Sequence, residues 1–182
     1  MIAIDYHNLC LGCMEARGAQ NACPACGFPA GGRPESALHL PPGTVLQDKY
    51  VIGRALGQGG FGITYLAWDS RLKLKLAIKE YLPQQLAYRT DVDTTVNVYK
   101  SSLAAEFSYG REKFLEEAQT LARFIEHPNI VSVRDYFEAN GTAYLVMNYH
   151  EGVTLHAYLQ SRGGRIGAAQ AVYRSSYLSW TL

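Results

Sequence analysis

The sequence has little net charge and no long apolar run, and these two absences exclude several classes of protein. Its 182 residues carry 17 Lys and Arg against 16 Asp and Glu, a formal net charge of +1. Such a balance produces no global field that would attract nucleic acid or an anionic membrane. No apolar stretch approaches the roughly 20 residues of a membrane-spanning helix, and the N-terminal MIAIDYHNLC lacks the features of a signal peptide. We therefore expect a cytoplasmic globular protein without a membrane segment or a nucleic-acid partner.

Cysteine is also scarce, and it is confined to one short window near the N-terminus. The four cysteines are Cys10, Cys13, Cys23 and Cys26, in the pattern C-x2-C-x9-C-x2-C. Each C-x2-C pair can form a tight turn that brings two sulfurs together, and two such turns complete a tetrahedral S4 set for zinc. Pro24 stiffens the second turn, and Gly27 allows the backbone to fold close to the sulfurs. The pattern predicts a small zinc ribbon over residues 1–30.

Two disulfide bonds, or a redox-active C-x-x-C pair, are the alternatives for this window. A reducing compartment disfavours the first, and the absence of a βαβ pattern disfavours the second. His7 precedes Cys10 by three residues, but four cysteines already satisfy zinc. A segment of about 20 residues cannot bury a core, so metal binding would supply its folding free energy.

The stretch after the cysteines, FPAGGRPESALHLPPGTV, is dense in Pro and Gly and has no apolar period. It predicts a linker over residues 31–46, followed by the main domain over 47–182. That domain contains the glycine-rich stretch LGQGGFGITYLA at residues 56–67. Alternating apolar residues enter and leave the glycines, which predicts a strand–loop–strand hairpin. A lone G-x-G-x-x-G also occurs in ordinary hairpins, so its spacing to other motifs must decide its meaning.

The later motifs provide that spacing. GQGGFGITYLA, AIKEYLP, FLEEAQTLARF, HPNIV and YLVMNY follow one another in the chain. Their order resembles the N-lobe of a bacterial eukaryotic-like serine/threonine protein kinase, and the cysteine module resembles the N-terminal zinc ribbon that some of these kinases carry. The resemblance implies an α+β fold, in which a five-stranded antiparallel sheet and an αC helix form a kinase-like N-lobe after a small zinc ribbon.

The resemblance also implies an ATP site. Backbone N–H groups of the glycine loop would cover the phosphates, at Gly57, Gly59, Gly60, Phe61 and Gly62. Thr64, where the family usually has Val, and Ala77 would cover the adenine. Met147 would be the gatekeeper, and the hinge would offer the Asn148 C=O and the His150 N–H to the base. We do not expect His150 or His156 to be catalytic, because His150 is a hinge backbone position and His156 lies in a predicted helix, VTLHAYLQ.

Lys79 occupies the strand position that the family uses to hold the α and β phosphates, whereas Lys73 and Lys75 are interpreted as solvated residues. It needs a carboxylate partner, and the candidates are Glu112, Glu116, Glu117 and Glu126. The apolar face of the predicted αC helix consists of Phe114, Ala118, Leu121 and Ile125. Glu117 lies beside this face and is the predicted catalytic partner of Lys79. A solvated helix glutamate is the alternative.

The catalytic half of the family pattern is missing from the sequence. Kinases orient the hydroxyl and hold Mg²⁺ with H-R-D-x4-N and D-F-G, and neither motif occurs here. VRDYFEAN, residues 133–140, has the R-D-x4-N spacing, but it precedes the hinge and its Asn140-Gly141 pair predicts a hairpin turn. We expect a truncated kinase domain that is inactive alone, with an added strand or hairpin at TTVNVY. The alternative is a noncatalytic zinc-ribbon and nucleotide-binding module that docks on a partner, such as a full kinase.

Overall fold

The computed structural model describes residues 8–90, 93–124, 130–153 and 155–165. Its main body is a six-stranded antiparallel sheet in the order β1-β2-β3-β4-β8-β7, and a two-stranded sheet pairs β5 with β6. The strands are β1 (Val45–Leu46), β2 (Tyr50–Gly59), β3 (Gly62–Asp69), β4 (Leu74–Tyr81), β5 (Ala87–Tyr88), β6 (Asn97–Val98), β7 (Val133–Ala139) and β8 (Thr142–Asn148). The helices are α1 (Ala104–Leu121) and α2 (Leu155–Ser161), with 3-10 turns at Ser101–Leu103 and Ala122–Phe124. The predicted α+β fold is confirmed, and β1 is a short sixth strand added to the five expected ones.

The R-D-x4-N stretch lies on β7 and its turn, as the sequence predicts. Asn140 and Gly141 both have positive φ, 51° and 73°, which is the geometry of a two-residue hairpin turn between β7 and β8. The Asp135 carboxylate accepts hydrogen bonds from Lys49 Nζ at 2.9 Å and from the Tyr50 hydroxyl at 2.8 Å. Asp135 therefore ties β7 to the start of β2, which is a structural role.

Helix α1 covers one face of the sheet through aromatic contacts. The Tyr81 ring on β4 lies 5.2 Å from Phe107 and 5.7 Å from Phe114, measured between ring centroids. Gly110 allows the helix to come close, because a Cβ there would lie 2.2 Å from the Tyr81 hydroxyl oxygen. Ala118, about two turns beyond Gly110, is fully buried. The predicted apolar face is thus confirmed at Phe114 and Ala118, while Ile125 and Glu126 lie outside the described residues.

The opposite face of the sheet contains a buried ion pair. Glu80 on β4 is 0% exposed, and both its carboxylate oxygens accept from the guanidinium of Arg89. The hydroxyl groups of Tyr65 and Tyr144 donate to the same carboxylate at 2.9 Å and 2.7 Å. Burial, and then the nearby Glu80 charge, raise the pKa of both tyrosines, which therefore stay protonated donors.

Arg89 extends this network to two segments outside the strands and helices. It donates to the Leu38 carbonyl at 2.7 Å and to the Thr94 carbonyl at 2.8 Å. Leu40 is 1% exposed, and its N–H donates to the Tyr65 hydroxyl at 3.0 Å. Part of the segment predicted as a linker therefore packs into the core. The added strand or hairpin predicted at TTVNVY is present as the strand β6, which pairs with β5 upstream of that stretch.

We expect Arg89→Met to lower the free energy of unfolding by about 3 kcal/mol or more, because it leaves the Glu80 carboxylate buried without its charged partner. Urea unfolding followed by circular dichroism measures this difference. Arg123→Met is the matched control, since Arg123 is exposed and surface changes usually stay within about 0.5 kcal/mol. Equal losses for the two variants would contradict the importance of the pair.

Candidate nucleotide and metal sites

The glycine-rich stretch forms the tip of the β2–β3 hairpin, which confirms the predicted strand–loop–strand arrangement. Gly57 pairs with Thr64 and Gly59 with Gly62, so Gly60 and Phe61 form the two-residue loop. The Phe61 side chain at the tip is 76% exposed.

Three of the loop glycines are not required by the fold itself. A Cβ on Gly57, Gly59 or Gly60 would meet no atom within 4 Å, and none of the three has a positive φ. Gly62 is different, because a Cβ there would lie 1.9 Å from the carbonyl oxygen of Glu80. The open space beside the first three allows a ligand to approach the backbone closely, which is a recurrent reason for glycine at a binding loop.

Four of the predicted nucleotide-contacting residues lie on one face of the sheet. In the β3–β4 ladder Thr64 is opposite Lys79, and in the β4–β8 ladder Ala77 is opposite Met147. Residues directly opposite in antiparallel strands share a face, as do residues two apart in one strand. Thr64, Lys79 and Met147 are half-buried and Ala77 is buried. The sheet therefore presents a mostly apolar strip with one ammonium beside the open glycines.

Lys79 and Glu117 are not brought together. Lys79 Nζ lies 5.8 Å from the centre of the Phe114 ring, and among the described residues no ion pair joins it to Glu117. Glu117 is exposed, which differs from the inward position that the helical pattern predicts. Phe114 and Ala118 make the contact with the sheet, so Glu117 lies at the border of the buried face and points to solvent. The functional pairing of the two residues stays a prediction.

The predicted hinge begins at Asn148, the last residue of β8. The Asn148 side-chain oxygen accepts from Arg134 Nε at 2.6 Å, and its backbone N–H donates to the Ser132 carbonyl at 3.1 Å. His150 is exposed. The predicted helix after the hinge is present as α2, where the exposed His156 contacts Gln160. Neither histidine lies in a buried catalytic arrangement.

The four cysteines converge on one point. Their Sγ atoms all lie within 4.8 Å of one another, with Cys10 and Cys26 at 3.6 Å and Cys13 and Cys23 at 3.7 Å. Four sulfurs at the corners of a tetrahedron with metal–sulfur bonds of about 2.3 Å would be about 3.8 Å apart. A disulfide needs about 2.05 Å, and all four cysteines are free. The cluster therefore fits one tetrahedral metal ion.

The two C-x-x-C turns repeat one backbone design. The Met14 N–H donates to the Cys10 carbonyl at 2.7 Å, and the Gly27 N–H donates to the Cys23 carbonyl at 2.8 Å. Met14 and Gly27 both have positive φ, 57° and 73°. Gly27 adopts this conformation without strain, whereas Met14 is an uncommon residue there. Backbone preference therefore does not explain why methionine occupies position 14 in the first turn.

The unliganded thiols differ in acidity. A backbone hydrogen bond from Cys26 is the main cause that lowers the pKa of Cys23 to about 7, whereas burial is the main cause that raises the pKa of Cys13 to about 12. A metal ion binds thiolates, so at neutral pH its binding would displace protons from this set.

An open glycine hairpin beside a strand lysine, with a helix packed on the same face of the sheet as that lysine, is the arrangement of a kinase-type N-lobe. The chain belongs to the protein kinase domain family, whose model matches residues 50–175. This match and the bacterial relatives together confirm the resemblance to bacterial eukaryotic-like serine/threonine kinases.

Individual relatives agree with this assignment. The chain is 32% identical over 139 residues to calcium-dependent protein kinase 32 of Arabidopsis thaliana, covering 75% of this chain and 22% of that protein. It is 33% identical over 121 residues to serine/threonine-protein kinase PrkC of Bacillus subtilis, covering 66% and 16%. The solved structure described as PpkA-294 apo form matches with a TM-score of 0.68 and 35% identity, covering 75% and 47%. The chain thus spans about a fifth of the length of these curated relatives.

No helix in the described ranges is long and apolar enough to cross a membrane.

We expect Gly62→Ala to lower the free energy of unfolding by about 1 to 3 kcal/mol, because its Cβ must displace the Glu80 carbonyl. Gly60→Ala should change it by less than about 1 kcal/mol, because its Cβ enters open space. Urea unfolding of both variants measures the difference. A similar loss for both would show that the loop tip is packed rather than open.

Proposed function

We propose that this chain is the ATP-binding lobe of a serine/threonine protein kinase. The observation that carries the proposal is the open space beside Gly57, Gly59 and Gly60, next to a sheet face with one lysine. A polyphosphate fits both features, since backbone N–H groups and an ammonium are its usual partners. In combination with a catalytic loop and magnesium ligands, the lobe would support transfer of the ATP γ-phosphate to a protein Ser or Thr.

Each predicted residue has a part in this site. The N–H groups of the glycine loop, including those of Phe61 and Gly62, would cover the phosphates while Lys79 holds two of them. Thr64 and Ala77 would pack on the adenine. Met147 would close the back of the pocket, and the hinge would offer the Asn148 C=O and the His150 N–H to the base. These polar contacts come from the backbone and do not depend on the identity of the hinge side chains.

Glu117 would act as the positioning partner of Lys79. An ion pair at this place fixes the ammonium over the phosphates, and kinases need it for phosphoryl transfer. Because Glu117 is exposed here, pairing requires a rotation of its side chain or of α1 toward the sheet.

Mg²⁺ would neutralise phosphate charge in the complete site, but the residues that hold it in kinases come from H-R-D-x4-N and D-F-G, which this sequence does not contain. The only Arg-Asp pair in the described ranges with a similar spacing includes Asp135, which is already paired with Lys49. We therefore expect no phosphate transfer by this chain alone. The second candidate is a noncatalytic module whose partner is another kinase rather than a protein substrate.

We also propose that the metal at the four cysteines is zinc. Four thiolates in a tetrahedral set are the usual structural site for Zn²⁺, and softer thiolate ligands disfavour Mg²⁺ and Ca²⁺. A zinc site of this kind agrees with a cytoplasmic location, where thiols stay reduced.

Lys79→Met should weaken the binding of a fluorescent ATP analogue about tenfold or more, because it removes a charge-assisted contact to phosphate. Glu117→Gln should weaken it less, and the double variant should show a coupling of about 0.5 kcal/mol or more. Glu112→Gln is the matched control on the solvated side of the same helix. Additive effects of Lys79 and Glu117 would argue against their pairing.

A phosphate-transfer assay separates the two candidate functions. With labelled ATP and a generic protein substrate, we expect the chain alone to give only background. Turnover that Asp135→Ala abolishes would assign catalysis to the β7 motif and overturn the proposal. Transfer that appears when a kinase C-lobe is supplied, and that Lys79→Met removes, would support the ATP-binding lobe over the noncatalytic module.

The purified chain should hold about one zinc per molecule. Cys13→Ser should lose most of it, because three thiolates and a hydroxyl make a poorer site. His7→Ala is the control and should keep the zinc, since the four cysteines complete the set. Atomic absorption of protein dialysed under reducing conditions measures the content. Native protein with no zinc and four titratable thiols would contradict the assignment.

A further inference from the structure

The first cysteine turn occupies the free edge of β2. Strand β1 pairs with only the first residues of β2, through Tyr50 and Val51. Further along the same edge, the Arg54 backbone N–H donates to the Leu11 carbonyl at 2.8 Å. The Arg54 side chain donates through Nε to the Gly12 carbonyl, also at 2.8 Å. The turn between Cys10 and Cys13 therefore acts as the backbone partner of an edge that would otherwise be unpaired.

Gly53 shows how closely the two parts approach. A Cβ at this residue would lie 2.4 Å from the Leu11 carbonyl oxygen and 2.4 Å from Met14 Cε. Its φ is not positive, so backbone conformation does not explain the glycine. Met14 is 2% exposed although its backbone is left-handed. Contact with the β2 edge therefore accounts both for the absent side chain at Gly53 and for methionine at an unusual position.

Lys75 connects the same turn to the hinge. Its Nζ lies 2.5 Å from a carboxylate oxygen of Glu15 and 2.8 Å from one of Glu151. Glu15 follows the first cysteine turn, and Glu151 follows the hinge residues directly. Exposed ion pairs of this kind contribute little to stability. Lys75 therefore orients the first cysteine turn relative to the hinge, while the contact at Gly53 supplies the packing. This corrects the expectation that Lys75 is merely solvated.

We propose that the ribbon is a docked part of the nucleotide-binding lobe, and that metal binding at its four cysteines holds the first turn in the shape that pairs with the β2 edge. The contact surface consists of Leu11, Gly12 and Met14 on the ribbon and Gly53 and Arg54 on β2. Loss of the metal would release the turn, because the short segment has no core to keep its shape. Since β2 continues from Arg54 into the glycine loop, the metal would thereby stabilise the hairpin. The proposal rests on the proposed metal site and not on nucleotide binding.

Hydrogen exchange of the Arg54 amide tests the proposal in the full chain. With one equivalent of zinc the amide should be protected, and chelation under reducing conditions should raise its exchange rate about tenfold or more. The amide of Val146 in the central strand β8 should not change. An Arg54 rate that is unaffected by chelation, in protein shown by metal analysis to lose its zinc, would overturn the proposal.

Gly53→Ala provides the matched variant. In the zinc-loaded chain it should raise Arg54 exchange to the level of the chelated unaltered chain while the zinc content stays the same. Gly152→Ala, where the added Cβ meets nothing within 4 Å, should behave like the unaltered chain. If Gly53→Ala does not fold, Lys75→Met replaces it, with Lys100→Met as control, and should raise Arg54 exchange at least about threefold. Unchanged exchange in the folded variant that is tested would also overturn the proposal.

Discussion

The buried carboxylate of Glu80 is the constraint on which the rest of the lobe depends. Once this charge lies on the inner face of β4, it must be neutralised and hydrogen-bonded, because an unpaired buried charge costs several kcal/mol. Arg89 and two tyrosines meet that requirement. They come from three parts of the chain that are distant in sequence, so satisfying one carboxylate brings β3, β8 and the stretch after β4 together. A pair of this kind specifies an arrangement more than it adds net stability.

The glycines of the chain illustrate three different physical reasons for the same residue. Gly53 is glycine because a neighbouring segment lies against it, and Gly62 because a carbonyl of the adjacent strand does. Gly141 has a left-handed backbone that a two-residue hairpin needs. At Gly57 and Gly60 no neighbouring atom lies close and the backbone is not left-handed, so the chain itself does not require glycine there. The sequence motif alone cannot separate these cases, and only the surrounding atoms show which glycines border open space.

Local patterns predicted most of the secondary structure and little of the long-range contact. Alternating apolar residues located the long strands, and Asn140-Gly141 located a turn, because these signals act between near neighbours. The environment of Lys75 could not be predicted, since its two carboxylate partners lie 60 and 76 residues away. The burial of Leu40 had only a weak sequence signal, namely an apolar residue within a Pro-rich stretch. Glu117 shows the limit of helical periodicity, because a residue at the border of a buried face can point either way.

Neighbouring residues on β4 place opposite charges on opposite faces of the sheet. Lys79 faces α1, while Glu80 faces the buried guanidinium of Arg89. A shift of the strand by one residue would exchange these faces. The shift would bury the Lys79 ammonium beside Arg89 and place the Glu80 carboxylate where phosphates are expected. Like charges would then meet on both faces of the sheet, which makes the shifted pairing unfavourable. The opposite charges of Lys79 and Glu80 therefore help to specify the register of β4. Burial of Glu80 fixes the side of the sheet on which Lys79, the proposed nucleotide-binding residue, lies.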